Sequence, residues 1–193
     1  MKYCSGCGAP VTLKIPAGDN RTRYVCTRCE TIHYQNPLIV TGCIPAWEGR
    51  VLLCRRAIRP RYGLWTLPAG FMEKGETAAE GAAREALEEA NARVRIDALY
   101  ATFNLPHIDQ VYMLYRGRLV DLDFFPGEET LELALFEEAD IPWEALAFPV
   151  ITEALKLFFQ DRQAGRFAVH SGDITRIDGR QGGYRIDFLR DLE

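Results

Sequence analysis

Two sets of residues in this chain of 193 have the types and spacing to do chemistry. The first is cysteine: Cys4-Ser-Gly-Cys7 and Cys26-Thr-Arg-Cys29 are Cys-x-x-Cys pairs separated by 18 residues. A tight turn aims both sulfurs of such a pair at one point, and two turns complete a tetrahedral thiolate site for zinc. Gly6 and Gly8 suit the backbone angles of those turns. Four protein ligands leave no open coordination position, so this zinc is expected to be structural. The second set is carboxylate: Glu85, Glu88 and Glu89 stand at i, i+3 and i+4. On a helix, like charges at these spacings repel by about 0.2–0.5 kcal/mol per pair. A hard divalent cation reverses that sign, because oxygen ligands suit it. Taken alone, the three glutamates read first as a solvated acidic face.

The elements that must position these groups can be read from capping and periodicity. Thr77-Ala-Ala-Glu80 is a capping box, which predicts a helix over Thr77–Ala90. Wound at about 100° per residue, Ala79, Ala83, Ala86, Leu87 and Ala90 share a small apolar face suited to lying on a sheet, with the glutamates opposite. Gly81, on the glutamates' side, reads as leaving room above the carboxylates. Strands are expected over Leu38–Trp47 and Val51–Arg56 around a Glu48-Gly49-Arg50 turn, then near Val94–Thr102, Val111–Val120 and Glu132–Phe136. Arg59–Pro68 reads as loop. Pro149–Gln163 is a second helix with an apolar stripe of Val150, Ile151, Ala154, Leu155 and Phe158, stopped by Gly165. Tyr184–Phe188 alternates like a strand, and residues 9–25 suit a hairpin between the cysteine pairs. Asn36-Pro37 marks a junction, which predicts a ribbon over 1–36, a main α/β domain over 37–165, and an extension over 166–193 packing on that domain.

Composition is that of a globular protein with a sizeable core: 48% hydrophobic and 26% charged, with net charge −4. Bulk charge gives no reason to expect a nucleic-acid partner. Residues 1–36, however, carry Lys2, Lys14, Arg21, Arg23 and Arg28 against Asp19 and Glu30, so the ribbon leaves that partner open. No segment approaches the roughly 18–20 apolar residues of a membrane span. The start Met-Lys-Tyr-Cys lacks the apolar run of a signal peptide, so a cytoplasmic protein with metal-bound rather than disulfide-bonded thiols is expected. Cys43 and Cys54 lie in apolar runs and read as buried hydrophobes. His33, His107 and His170 are scattered, with no triad-like setting. Arg56 and Arg59 are candidates to meet phosphates, and Trp65, Phe103, Tyr112 and Phe148 to stack on a base, although such aromatic residues are usually core.

The wider pattern changes the reading of the glutamates. Gly70, five residues, Glu76, seven residues, Arg84-Glu85, two more residues and then Glu88-Glu89 resembles the Nudix box. The glycine that follows the glutamates in that family is Asn91 here, and asparagine is the next-best residue for a left-handed helix end. A four-cysteine ribbon directly before such a box is similar to NADH-pyrophosphatase-like enzymes. Leu52–Arg56, Gly63–Gly70 and Phe125-Pro-Gly-Glu-Glu129 resemble another branch, of bacterial ribbon–Nudix proteins and plant chloroplast enzymes that split FAD and ADP-ribose. The NADH branch carries Ser-Gln-Pro-Trp-Pro-Phe-Pro after the box, whereas this chain has Phe103–Gln110 there.

The resemblance implies an α/β/α sandwich around a mixed sheet and metal-dependent cleavage of a nucleotide diphosphate, FAD or ADP-ribose first. It implies magnesium or manganese on Glu85 and Glu89, helped by the Ala69 carbonyl, with Glu88 on another ion or its water. Glu76 and Arg84 would tie the loop to the helix. In related ribbon–Nudix enzymes a functional glutamate lies six residues before the first of two bulky residues. Here these are Leu135 and Phe136, which points to Glu129. The alternatives are an NADH diphosphatase or NAD-cap-removing RNA hydrolase, and a non-enzymatic nucleotide-sensing regulator. The partner expected is a small-molecule nucleotide, with a homodimer left open.

Overall fold

In a computed structural model the structure describes residues 1–177 and 183–189. The chain divides into two compact units, Met1–Pro37 and Leu38–Glu193. In the first, β1 (Val11–Lys14), β2 (Arg23–Cys26) and β3 (Ile32–His33) form a small antiparallel sheet in that order.

The second unit is built on a nine-stranded mixed sheet. Its elements are β4 (Leu38–Trp47), β5 (Arg50–Arg56), β6 (Trp65–Thr66), β7 (Ala69–Phe71), α1 (Ala78–Ala90), β8 (Val94–Leu105), β9 (Gln110–Leu119), β10 (Thr130–Phe136), α2 (Pro149–Ala164), β11 (His170–Arg176) and β12 (Tyr184–Phe188). The order is β10-β5-β4-β9-β8-β11-β12, with β6 paired to β5 and β7 to β4. β4 runs parallel to β9 and β8 parallel to β11.

Side-chain alternation along the strands explains the layers. On β4, Cys43 packs under Ala82 and Ala86 of α1, while its neighbour Ile44 packs into the core that holds Val150, Ile151, Leu155 and Phe159 of α2. On β9, Tyr115 and Leu114 divide between the same two layers. A sheet apolar on both faces must be covered twice, and the helices lie on opposite faces as an α/β/α sandwich.

Three readings from periodicity need correction. The buried face of α1 comprises Gly81, Ala82, Glu85, Ala86, Glu89 and Ala90, whereas Leu87 is 51% exposed. Hydrophobic patterning treats glutamate as solvated, and here two glutamates are buried beside the small residues. Gly81 does not leave room above the carboxylates: a Cβ there would lie 2.6 Å from Thr41 Cγ2 and 2.7 Å from Glu76 Oε1, so it lets the helix approach β4. The Arg59–Pro68 stretch is not all loop, because it contains β6, which is too short to show alternation. β11, His-Ser-Gly-Asp-Ile-Thr-Arg, carries only one large apolar residue and had no readable period; it enters the sheet by parallel pairing with β8. Residues 178–182 and 190–193 of the expected extension lie outside the described residues.

Both ends of α1 are fixed. Thr77 and Glu80 close the capping box, with the Glu80 N–H donating to Thr77 Oγ1 at 3.2 Å and the Thr77 N–H to Glu80 Oε2 at 2.8 Å. Asn91 ends the helix in the left-handed region at φ 48°, as its place in the box requires. The loop before β10 then supplies donors to the last carbonyls: Gly127 N–H to Glu89 O at 2.9 Å and Phe125 N–H to Ala90 O at 3.0 Å. A Cβ on Gly127 would fall 1.9 Å from Glu88 O, so only glycine permits this approach. Among the described residues no helix is long and apolar enough to cross a membrane.

In the ribbon the cysteine sulfurs all lie within 4.8 Å of one another, with Cys4–Cys29 at 3.7 Å and Cys7–Cys26 at 3.4 Å. Zinc–sulfur bonds of about 2.3 Å put tetrahedral ligands roughly 3.8 Å apart, so the four fit that ion. The Arg28 and Cys29 N–H groups donate to Cys26 Sγ at 3.4 Å and hold its thiol below the ordinary value. Hydrogen bonds from Thr31 bring Cys29 down to about 6. Cys7 is pushed up to about 11: the Ala9 N–H works to lower it, but the Cys26 and Cys29 sulfurs outweigh that. Adjacent sulfurs resist ionising together unless a cation binds them. Protein purified without chelator should therefore carry one zinc per chain, and Cys4→Ser should lose it together with thermal stability. Elemental analysis finding no zinc in the wild type rules this out.

Candidate active site

Pairing of β7 with the start of β4, Val40 to Phe71 and Gly42 to Ala69, sets where the loop into α1 begins. The loop is then held by one arginine. Arg84 Nε and Nη2 donate to Glu76 Oε2 and Oε1 at 2.9 and 2.8 Å, and Nη2 also reaches the Phe71 carbonyl at 3.1 Å. Its Nη1 donates to Glu85 Oε1 at 2.7 Å and Glu88 Oε2 at 3.0 Å. The paired Arg84 guanidinium brings the Glu76 carboxyl down to about 2. Glu76 also accepts the Glu73 N–H at 2.7 Å, so it braces the loop from within.

Glu85 and Glu89 face a cavity of about 1110 Å³ and are 8% and 9% exposed. Burial raises the Glu85 carboxyl, with Arg84 working against the shift. Burial also pushes Glu89 up to about 8, with repulsion from Glu85 adding to it and Arg56 opposing it. Glu89 Oε2 is buried with no hydrogen-bond partner. An orphaned carboxylate oxygen is costly unless a ligand satisfies it. A Cβ on Gly70 would sit 2.4 Å from both Glu85 carboxylate oxygens, so backbone and carboxylate pack without a side chain between them. The glutamates converge less tightly than the cysteines: among the described residues only the four sulfurs bring three or more such ligand atoms within 4.8 Å of one another. Oxygen ligands of this kind fit a hard divalent ion, whose remaining coordination positions water and phosphate oxygens can fill.

Glu85, Glu88, Glu89, Glu129, Arg56, Arg59 and Ala69 all lie on this one cavity. Cys4, Cys7, Cys26 and Cys29 gather separately in the ribbon. The Glu129 carbonyl accepts the Ala57 N–H at 2.8 Å, which ties its loop to the end of β5. Glu128 shares the wall, whereas Glu132 turns to Arg55 at 3.1 Å. Arg56 lies over the Phe148 ring at 5.1 Å and donates to Pro60 O at 3.0 Å. Of the aromatic candidates, Tyr112 and Phe148 reach the cavity. Phe103 is fully buried, and Trp65 packs edge-on against Phe136 at 5.0 Å. His170 bonds Asp161 at 2.8 Å, away from the cavity. Sequence reasoning missed Arg61, Ile174, Arg176 and Tyr184, which also line it. No motif marks them, and only the sheet order brings the last three to the site.

A sandwich whose strand–loop–helix turns buried carboxylates into an arginine-lined cavity defines a class by layout, and comparison with known proteins names the family. A Nudix N-terminal zinc-ribbon model matches residues 2–35, and a NUDIX domain model matches residues 37–158. A crystal structure of a NUDIX hydrolase from Nitrosomonas europaea is 60% identical, covering 91% of this chain and 100% of that one with a TM-score of 0.89. The chain therefore belongs to the Nudix hydrolase family. An ADP-ribose pyrophosphatase of Methanocaldococcus jannaschii is 26% identical over 118 residues, 56% of this chain and 67% of that protein. The NAD-capped RNA hydrolase NudC of Vibrio parahaemolyticus is 33% identical over 97 residues, 49% of this chain but only 35% of that protein.

In chelator, Glu89→Gln should melt higher than wild type. A carboxyl whose folded pKa is raised to about 8 contributes most stability below its unfolded value near 4.5, and loses it as pH rises through 8. The amide removes that loss, so the gain should be present at pH 8 and vanish towards pH 4.5. A gain of about 2–4 °C corresponds to roughly 1 kcal/mol in a chain of this size. Equal melting temperatures at pH 8 would mean that the carboxylate is not strained.

Proposed function

We propose that this chain hydrolyses the diphosphate linkage of FAD or ADP-ribose to two monophosphates, AMP and FMN in the first case. The observation that carries this reading is the buried, unpartnered Glu89 oxygen beside Glu85, in a cavity also lined by Arg56 and Glu129. Glu85, Glu89 and the Ala69 carbonyl would hold magnesium or manganese, with Glu88 on a further ion. A divalent ion bound there supplies charge neutralisation at the diphosphate and acidifies the attacking water. Arg56, anchored on Phe148, would pair with a phosphate oxygen. Glu129 would take the proton from the water as its oxygen bonds to phosphorus. The bridging P–O bond then breaks, and its electron pair leaves with the second monophosphate. Arg84 and Glu76 do no chemistry in this scheme; they hold the carboxylates in place.

The choice of substrate rests on the likeness of residues 52–56, 63–70 and 125–129 to the FAD and ADP-ribose branch, and on similarity to a named ADP-ribose pyrophosphatase. A second reading, hydrolysis of NADH or of NAD-capped RNA, is favoured by the NudC relatives and the basic ribbon. A panel of FAD, ADP-ribose and NADH, with products identified by mass spectrometry, should give higher kcat/KM for the first two. A ratio favouring NADH promotes the second reading.

Glu85→Gln and Glu89→Gln should each lower turnover by several orders of magnitude while the fold survives. Retention of more than about a tenth of activity, a deficit of only ~1.4 kcal/mol, would remove the residue from its role. Among Glu128→Gln, Glu129→Gln and Glu132→Gln, the second should lose most kcat at saturating magnesium with little change in the magnesium needed for half-activity. A wild-type Glu129→Gln beside a failing neighbour moves the base to that neighbour.

A further inference from the structure

The wall of the cavity contributed by the last two strands carries a feature that the hydrolytic scheme does not use. On β11 and β12, Ile174 pairs with Ile186 and the next same-face pair is Arg176 with Tyr184. The first pair belongs to the core, with Ile174 fully buried. In the second pair Tyr184 packs against the edge of that core, and both Tyr184 and Arg176 line the cavity. Arg176 is exposed at the end of β11, where its side chain lines the cavity beside its register partner Tyr184. His107, in the turn Pro106–Ile108 after β8, meets Tyr184 with ring centroids 5.7 Å apart and planes at 49°. The rings form an open aromatic corner rather than a closed stack.

β12 is four strands from β4, about 19 Å across the sheet at the usual spacing of about 4.8 Å. That separation suits the far half of a dinucleotide rather than the diphosphate held at the box. Both strands also lie beyond residue 158, where the match to the NUDIX domain model ends.

We propose that Tyr184, His107 and Arg176 form a subsite for the planar heteroaromatic ring of the substrate, stacked on Tyr184 with Arg176 donating to acceptor atoms on the ring's edge. The proposal rests on the diphosphatase reading only for the identity of the ligand. One ring chemistry has two sources here, because FAD carries both adenine and flavin while ADP-ribose carries adenine alone.

The test is calorimetric titration of FAD and of ADP-ribose, with calcium as the divalent ion, into wild type, Tyr184→Ala, Tyr184→Phe and Arg176→Gln, alongside KM and kcat with magnesium. Tyr184→Ala should weaken binding and raise KM by about tenfold, the size of one lost base–aromatic stack. Tyr184→Phe should keep most of the affinity, and kcat should stay within about twofold throughout. Arg176→Gln changes an exposed side chain and should weaken binding without disturbing the fold. Loss for FAD alone supports the subsite and assigns it to flavin; loss for both ligands supports it and assigns it to adenine. Wild-type affinity for both ligands in Tyr184→Ala and Arg176→Gln overturns the proposal, as does failure of the wild type to bind either ligand. Wild-type binding without turnover, with the variant losses intact, overturns the diphosphatase reading and leaves the subsite supported.

Discussion

The arrangement around the cavity depends on the guanidinium of Arg84. Three carboxylates of one helix and its preceding loop reach the same region, and each would repel the others. Arg84 spreads its donors over Glu76, Glu85 and Glu88 and over the Phe71 carbonyl. A lysine could not reproduce this, because a single ammonium lacks the planar fork that engages Glu76 through two bonds. The same contacts join β7, the loop and α1 into one rigid piece. The helix glutamates are therefore aimed by a bracket that is itself tied to the sheet.

Close packing does the rest of the positioning. Gly81, Ala82 and Ala86 allow α1 to lie against β4, where Thr41 Oγ1 donates to the Ala78 carbonyl and Cys43 is sealed beneath Ala82. At the other end, the carbonyls that α1 cannot satisfy internally are taken by Phe125 and Gly127. One set of hydrogen bonds thus finishes the helix and delivers Glu129 to the cavity. Capping and site assembly are the same contact.

The electrostatics show where this chain departs from what folding alone would select. Glu89 is buried against Glu85, and its carboxyl is pushed up to about 8. A core residue of similar size without charge would fold better. Opposing cations line the same cavity, with Arg56 near Glu89 and Arg59, Arg61 and Arg176 further along the lining. Carboxylates and guanidinium groups therefore line one cavity, and charges of both signs face the same space.

Much of this was legible in the sequence where signals are local. The two cysteine pairs, the capping box, the spacing from Gly70 to Glu89 and the left-handed Asn91 are each decided within a few residues, because turns and helix ends depend on nearby backbone. The runs Leu38–Trp47 and Val111–Val120, and the stripe on α2, read as strands and a helix with nearly the observed bounds. The true face of α1 was not legible, since periodicity cannot tell a buried glutamate from a solvated one. Nor was β11, whose polar sequence becomes a strand only by pairing with β8. Glu129 was reached by likeness to relatives, but its place near Glu89 depends on the helix-capping loop. The residues themselves determined the zinc ribbon, the box and the core. Tertiary structure alone decided that Arg176 and Tyr184, nearly a hundred residues beyond the box, share its cavity, because sheet order is set by pairing across the whole chain rather than by local sequence.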